Sequence, residues 1–135
     1  MANKSTLLYS CLALMLSVGT ISCQRQQKGP AKIEFETLSH DFGMVNADSM
    51  VCCDFHFKNS GGQELVIDDV LPDCHCTKIS LPTSYLQPGE ESVIHVAFDG
   101  SHFMTGQQDK TILVRTNDAD NPETELTFTA YIIHR

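Results

Sequence analysis

The chain has 135 residues, with 9 Lys+Arg against 17 Asp+Glu, a formal net charge of −8. That balance excludes a basic footprint for nucleic acid and a polybasic face for anionic lipid. The length suits one domain of ordinary size.

The N-terminus reads as an export signal. Lys4 is a short positive n-region, and no residue from Ser5 to Gln24 is charged. Leu7, Leu8, Leu12, Leu14, Met15, Leu16 and Val18 form an apolar h-region. The stretch closes on Thr20-Ile21-Ser22-Cys23, a small residue directly before a cysteine. This pattern predicts a lipoprotein signal over residues 1–22 and an acylated Cys23. Thr20 departs from the aliphatic residue usual three positions before that cysteine. An uncleaved membrane anchor and an ordinary secretory signal are the rival readings, and all three export the rest of the chain. Removal of Lys4 would leave 8 basic against 17 acidic residues, near −9. Attachment to the membrane would then rest on the acyl chains, each buried methylene contributing about 0.8 kcal/mol. Residues 23–31 read as a polar tether. From Gln24 to Ala31 it reaches about 25 Å when extended. Gln24-Arg25-Gln26-Gln27-Lys28 holds no acidic residue of the kind that favours surface export in some Gram-negative groups, so the expected location is the periplasmic face of the cell envelope, with the cell surface as the alternative.

Residues 32–135 read as short strands between turns. Lys32 to Glu36 alternates polar and apolar. From Met50 to Lys58, Val51, Cys53, Phe55 and Phe57 point one way and Cys52, Asp54, His56 and Lys58 the other. Asn59-Ser60-Gly61-Gly62 is a turn, and Glu64 to Val70 a third strand. Leu86-Gln87-Pro88-Gly89-Glu90 is a second turn. In Glu91 to Phe98, Ile94, Val96 and Phe98 share one face, and Val93, His95 and Ala97 the other. Lys110 to Thr116 and Glu123 to Ile133 form a last pair, split by residues 117–122, where Asp118, Asp120 and Asn121 read as turn formers. In the final strand Leu126, Phe128, Ala130 and Ile132 face one way. About seven strands with regular turn signals predict an all-β, antiparallel immunoglobulin-like sandwich. There is no Trp and no widely spaced Cys pair of the antibody kind.

Five blocks of this stretch resemble the bacterial domain of unknown function 1573 family. They are His40-Asp41-Phe42-Gly43-Met44-Val45; Phe55-His56-Phe57-Lys58-Asn59-Ser60-Gly61; Leu65-Val66-Ile67 followed by Asp73-Cys74-His75-Cys76-Thr77; Leu86-Gln87-Pro88-Gly89-Glu90; and Val114-Arg115-Thr116-Asn117-Asp118. The resemblance runs from about Ile33 to Ile133. It implies an Ig-like module related to the hydin and major-sperm-protein-like domains, with no established activity. Two departures stand out. His75 occupies a position usually held by Gly, and the pair Cys52-Cys53 lies outside the family pattern.

Chemistry concentrates in cysteine and histidine. Cys11 lies in the signal and Cys23 would be consumed by lipid, which leaves Cys52, Cys53, Cys74 and Cys76 as candidate thiols or disulfides. Cys53 reads as a buried small hydrophobe, whereas Cys52 faces outward. Cys74-His75-Cys76 has three readings. It locks a loop, it is a redox pair, or its two thiolates and imidazole bind copper or zinc. Strand parity also puts Cys52, Asp54 and His56 on one outer face, with His95 on a neighbouring strand. This is either a solvated polar face or a shared metal position. His102-Phe103-Met104 reads as a loop. Asp68, Asp69 and Asp73 lack the glycine-punctuated loop of a calcium site. No nucleophile elbow, phosphate loop or zinc-protease helix is present. The sequence therefore predicts a lipid-anchored, non-enzymatic adaptor or structural part of the envelope that binds an envelope protein and takes no cofactor. The alternative is a copper, zinc or thiol-redox protein using Cys74, His75 and Cys76.

Overall fold

A computed structural model describes residues 29–135. The expected signal, Cys23 and nearly all of the tether fall outside those residues. The described chain forms two packed sheets. Its strands are β1 (Ile33–Phe35), β2 (Ser39–Asn46), β3 (Met50–Asn59), β4 (Leu65–Pro72), β5 (Thr77–Ser80), β6 (Tyr85–Leu86), β7 (Glu91–Asp99), β8 (Gly106–Thr116) and β9 (Glu123–Ile133). One sheet has the order β1-β3-β7-β5 and the other β2-β9-β8-β4-β6.

The alternation read from β3, β7 and β9 places the core. Cys53, Phe55 and Phe57, then Ile94, Val96 and Phe98, then Leu126, Phe128, Ala130 and Ile132 are all buried between the sheets. Val51 shares the inward side but is only half-buried. Phenylalanines carry much of the contact across the sandwich. The Phe98 and Phe128 rings meet edge-on across the sandwich with centroids 5.2 Å apart, and within the five-stranded sheet Phe42 meets Phe128 at 5.5 Å. Such pairs add about 0.5–1.5 kcal/mol beyond the area they bury.

The architecture is the expected Ig-like sandwich, with three differences in detail. Among the described residues nine strands form rather than about seven, because β2, β5 and β6 carry no readable alternation. β5 spans 4 residues and β6 only 2. β8 begins at Gly106, ahead of the Lys110 start expected from its apolar run. The pairing is also not wholly antiparallel, since β2 runs parallel to β9. β2 is an edge strand interrupted between Asp41 and Met44. There Gly43 takes φ 65°, a conformation that favours glycine. Asp41 Oδ1 accepts from Gly43 N–H at 2.8 Å and from Thr129 Oγ1 at 3.0 Å. The Gly43 amide, then the Thr129 hydroxyl, hold the Asp41 carboxyl below its usual range. Irregularities of this kind blunt an edge against further pairing.

Two buried polar side chains tie the ends of the sandwich. Asn59 and Asp118 are essentially inaccessible, at 0% and 1% exposure. Asn59 Nδ2 donates to Gln63 O at 2.7 Å and Leu86 O at 3.0 Å, and its Oδ1 accepts from Gly61 N–H at 2.9 Å. Asp118 Oδ2 accepts from Ile33 N–H at 3.0 Å, and Oδ1 from the amides of Asp120 and Asn121 at 2.9 and 3.2 Å. Gly61 packs directly on the Pro30–Lys32 backbone, where any Cβ would collide.

Candidate functional site

The Cys74-His75-Cys76 segment is the crossover between the two sheets, leaving β4 and entering β5. Asp73 clips its start to β8: its N–H donates to Thr111 O at 2.9 Å, and its Oδ2 accepts from Thr111 N–H at 3.1 Å. The segment then turns, with Thr77 N–H donating to Cys74 O at 3.3 Å. Asp99 N–H on β7 donates to Cys76 O at 3.0 Å. This turn brings the Cα atoms of Cys74 and Cys76 to 5.3 Å, and a disulfide joins them. Both cysteines are half-exposed and His75 is exposed. Thr77 Oγ1 lies beneath them, 3.7 Å from Cys74 Sγ and 3.8 Å from Cys76 Sγ. No non-glycine residue among those described has positive φ, so His75 fits where glycine is usual without backbone strain.

That bond changes the metal reading of Cys74, His75 and Cys76. Two sulfurs bonded to each other are not thiolate ligands. Among the described residues no group of three or more His, Cys, Asp or Glu side chains is placed to hold a metal ion. The copper or zinc alternative therefore finds no ligand set here.

The outer face of the four-stranded sheet shows what register decides. β3 and β7 are neighbours, as expected for an Ig-like sandwich, and Asp54 lies directly opposite His95. Asp54 Oδ1 and His95 Nδ1 are 2.7 Å apart, with both side chains about half-exposed. Cys52, however, faces Ala97, and His56 faces Val93. The four residues thus yield one surface carboxylate–imidazole pair, a type of contact contributing about 0–1 kcal/mol. Cys52 is an exposed free thiol and Cys53 a buried one. Burial, reinforced by the neighbouring Asp54 and Cys52, pushes the Cys53 thiol up to about 11. It is an inert core side chain at neutral pH.

Other candidates separate in space. Asp68 lies within the β4 bulge, Asp69 stands opposite Arg115 in the β4–β8 ladder, and Asp73 is engaged at Thr111, so the three carboxylates do not converge. Asp118 and Asp120, read as turn formers, are joined in one hydrogen-bonded turn closed on Asp118. The segment before β8 holds one arrangement hidden from sequence. A short 3-10 turn at Gly100–His102 is capped by Asp99, and His134, from the end of the chain, reaches Phe103 O with Nε2 at 3.0 Å. His102, Met104 and His134 thereby line one open depression.

The two-sheet topology, the Cys-x-Cys crossover and the buried Asn59 and Asp118 all fall within one matched stretch. A family model described as "Protein of unknown function (DUF1573)" matches residues 33–132. The chain belongs to this DUF1573 family. None of the curated proteins compared with it matches. Among solved structures, a protein of unknown function from Porphyromonas gingivalis W83 aligns at TM-score 0.67 and 14% identity, over 83% of this chain and 51% of that one. This DUF1573 chain therefore spans about half the length of that relative. The ASH/PapD-like domain 7 of human CEP192 aligns at TM-score 0.62 and 13% identity, over 89% of this chain and 98% of that one. The CsuC–CsuE chaperone–tip adhesion subunit complex of Acinetobacter baumannii gives TM-score 0.52 and 10% identity, over 75% and 57%. At such identities the likeness establishes the PapD-like, Ig-like fold of the DUF1573 domain alone.

Proposed function

We propose that the chain is an exported, lipid-anchored Ig-like module that acts by binding, as a non-enzymatic adaptor or structural component of the bacterial envelope. The anchor rests on the Ser22-Cys23 signal, and the periplasmic orientation on the residues that follow it. The observation that carries the binding role is an exposed apolar pair. Met44 on β2 is 74% exposed and stands opposite Tyr131 on β9, 44% exposed, beside the open edge of the five-stranded sheet. Leu38, just before β2, is exposed as well. Large apolar side chains gathered on the sheet surface beside a bulged edge suit a flat protein face. The named chaperone–subunit complex of Acinetobacter baumannii offers a precedent for this fold engaging an envelope protein.

The test joins location to contact. The full-length chain is expressed in its bacterial host with a photo-crosslinking residue at Met44, Tyr131 or, as a control on the opposite sheet, His95. Metabolic labelling with a clickable palmitate reports the anchor. Lipid label lost in Cys23→Ala, and one discrete adduct from positions 44 and 131 but not 95, are expected. An unlabelled wild type overturns the anchor. Equal, diffuse crosslinking from all three positions overturns the binding face.

A further inference from the structure

A disulfide stabilises a protein chiefly by restricting the unfolded chain, and the restriction grows with the loop that it closes. Cys74 and Cys76 close a loop with a single residue between them. The bond is therefore a weak staple. The crossover is also held without it, by the paired Asp73–Thr111 contacts and by Asp99 N–H on Cys76 O. Both cysteines are only partly buried, which leaves the crossover open to an attacking thiolate. Accessible disulfides contributing little to the fold are the ones that exchange.

Thr77 supplies the second observation. It is 5% exposed, and its hydroxyl stands within 3.8 Å of both sulfurs. Against a disulfide this contact is weak. Against a thiolate the same hydroxyl donates a charge-assisted hydrogen bond, about twice as strong as a neutral one. Asp73, the acid next in sequence, spends Oδ2 on Thr111 N–H.

We infer that Cys74 and Cys76 form a reversible two-electron redox centre that exchanges with a dithiol partner, with Thr77 stabilising the thiolate. A partner thiolate attacks one sulfur. The Cys74–Cys76 bond breaks, a mixed disulfide forms, and the displaced sulfur leaves as a thiolate held by Thr77 until it is protonated. The second thiol of the partner then loses its proton and attacks the mixed disulfide. Its own disulfide closes and the other cysteine is released. Two electrons and two protons have moved from partner dithiol to Cys74 and Cys76. The reverse sequence oxidises a partner. The direction follows the partner's potential. The centre stands independently of the binding face on the other sheet.

The test is a redox titration of the full-length chain, purified in detergent, in native glutathione buffers of graded reduced-to-oxidised ratio. Acid quenching, differential alkylation and mass spectrometry read the peptide that carries Cys74 and Cys76, so the remaining cysteines do not interfere. A reversible passage from disulfide to dithiol within the series, with the far-UV spectrum unchanged, is expected. At about pH 9, where thiolates are populated, Thr77→Val should shift the balance toward disulfide by about tenfold, as expected for losing a hydrogen bond to a charged group. The shift should shrink at about pH 6, and Thr77→Ser should restore it. A pair that stays oxidised at every ratio until denaturant is added, or that is dithiol throughout, overturns the centre. A Thr77→Val titration identical to wild type at about pH 9 overturns the role of Thr77.

Discussion

Replacing Asn59 with alanine should come close to unfolding this domain. Asn59 ends β3, and its fully buried amide joins three segments: the β3–β4 turn through Gln63 O and Gly61 N–H, the entry to β1 through Lys32 N–H at 3.4 Å, and β6 through Leu86 O. Its backbone adds a fourth, since its N–H donates to Glu90 O at 2.9 Å and its carbonyl accepts from Gly89 N–H at 2.8 Å. The alanine variant keeps the backbone bonds and loses four side-chain bonds, the longest of them at 3.4 Å, each worth about 1 kcal/mol net. It also strands backbone groups in the interior, where an unpaired donor or acceptor costs about 1–3 kcal/mol. A total of roughly 3–5 kcal/mol follows, against about 5–15 kcal/mol for a whole domain. Guanidinium denaturation followed by far-UV circular dichroism measures it, with the slope checked so that the two states remain comparable. Asn59→Asp sharpens the test. Aspartate keeps the acceptor for Gly61 but cannot donate to either carbonyl, so it should be at least as damaging as alanine. A loss below about 1 kcal/mol for alanine at unchanged slope, or a well-tolerated aspartate, would refute the clamp.

Three further outcomes are expected. The Cys53 thiol is held at about 11 rather than 9.0, so the folded chain binds that proton more tightly than the unfolded chain does. The resulting roughly 2–3 kcal/mol is complete below about pH 9 and lost as pH rises through about 11. Cys53→Ala, less stable at neutral pH, should lack this alkaline slope in reducing denaturation series. Asp118→Ala removes the acceptor of three amides, one of them Ile33 N–H on β1. A loss of about 2–4 kcal/mol is expected, with faster hydrogen exchange at Ile33 as the local readout. The double variant Cys74→Ser, Cys76→Ser should lose only about 1.6 kcal/mol, the chain-entropy value for a three-residue loop at 25 °C. A measured loss above about 4 kcal/mol would refute the description of this bond as a weak staple.

The long central strands were legible because burial on one side imposes a period of two. Cys53-Asp54-Phe55-His56-Phe57 can sit only one way in a half-buried strand. β2 escaped that logic. As an edge strand it exposes most of its residues, and a bulge breaks its register, so no alternation survives to be read. β5 and β6 are shorter than the pattern needs. Asn59 and Asp118 have the composition of turn formers; Asn59 closes β3 at the edge of a turn, and Asp118 lies in the β8–β9 connection. Their decisive partners, Leu86 and Ile33, lie 27 and 85 residues away, beyond any local signal. The same limit applies to the site. Parity put all four residues on one face, and register decides that Asp54 and His95 are the two that stand opposite each other. Cys-x-Cys was visible as a motif. Whether it closes on itself depends on a turn fixed by hydrogen bonds to β7 and β8, and His134 meets His102 and Met104 only through the course of β9.

Most blocks that carry the family resemblance now have structural work to do. Asp41 and Gly43 shape the bulge of the edge strand, while Asn59 and Gly61 clamp the first turn. In the second turn Gly89 takes φ 85°, and Glu90 accepts the Gln87 amide at 2.7 Å. Asn117 and Asp118 bind the backbone of β4 and β1. Removing any of these would damage the sandwich, which is sufficient reason for their presence and says nothing of an activity. The Cys74-His75-Cys76-Thr77 block differs. Its backbone is anchored by neighbours on two strands, its bond adds little to the fold, and its cysteines are only partly buried. A buried hydroxyl stands ready for the charge that only a reduced cysteine would bear. In this block, stability is the weaker explanation and chemistry the stronger.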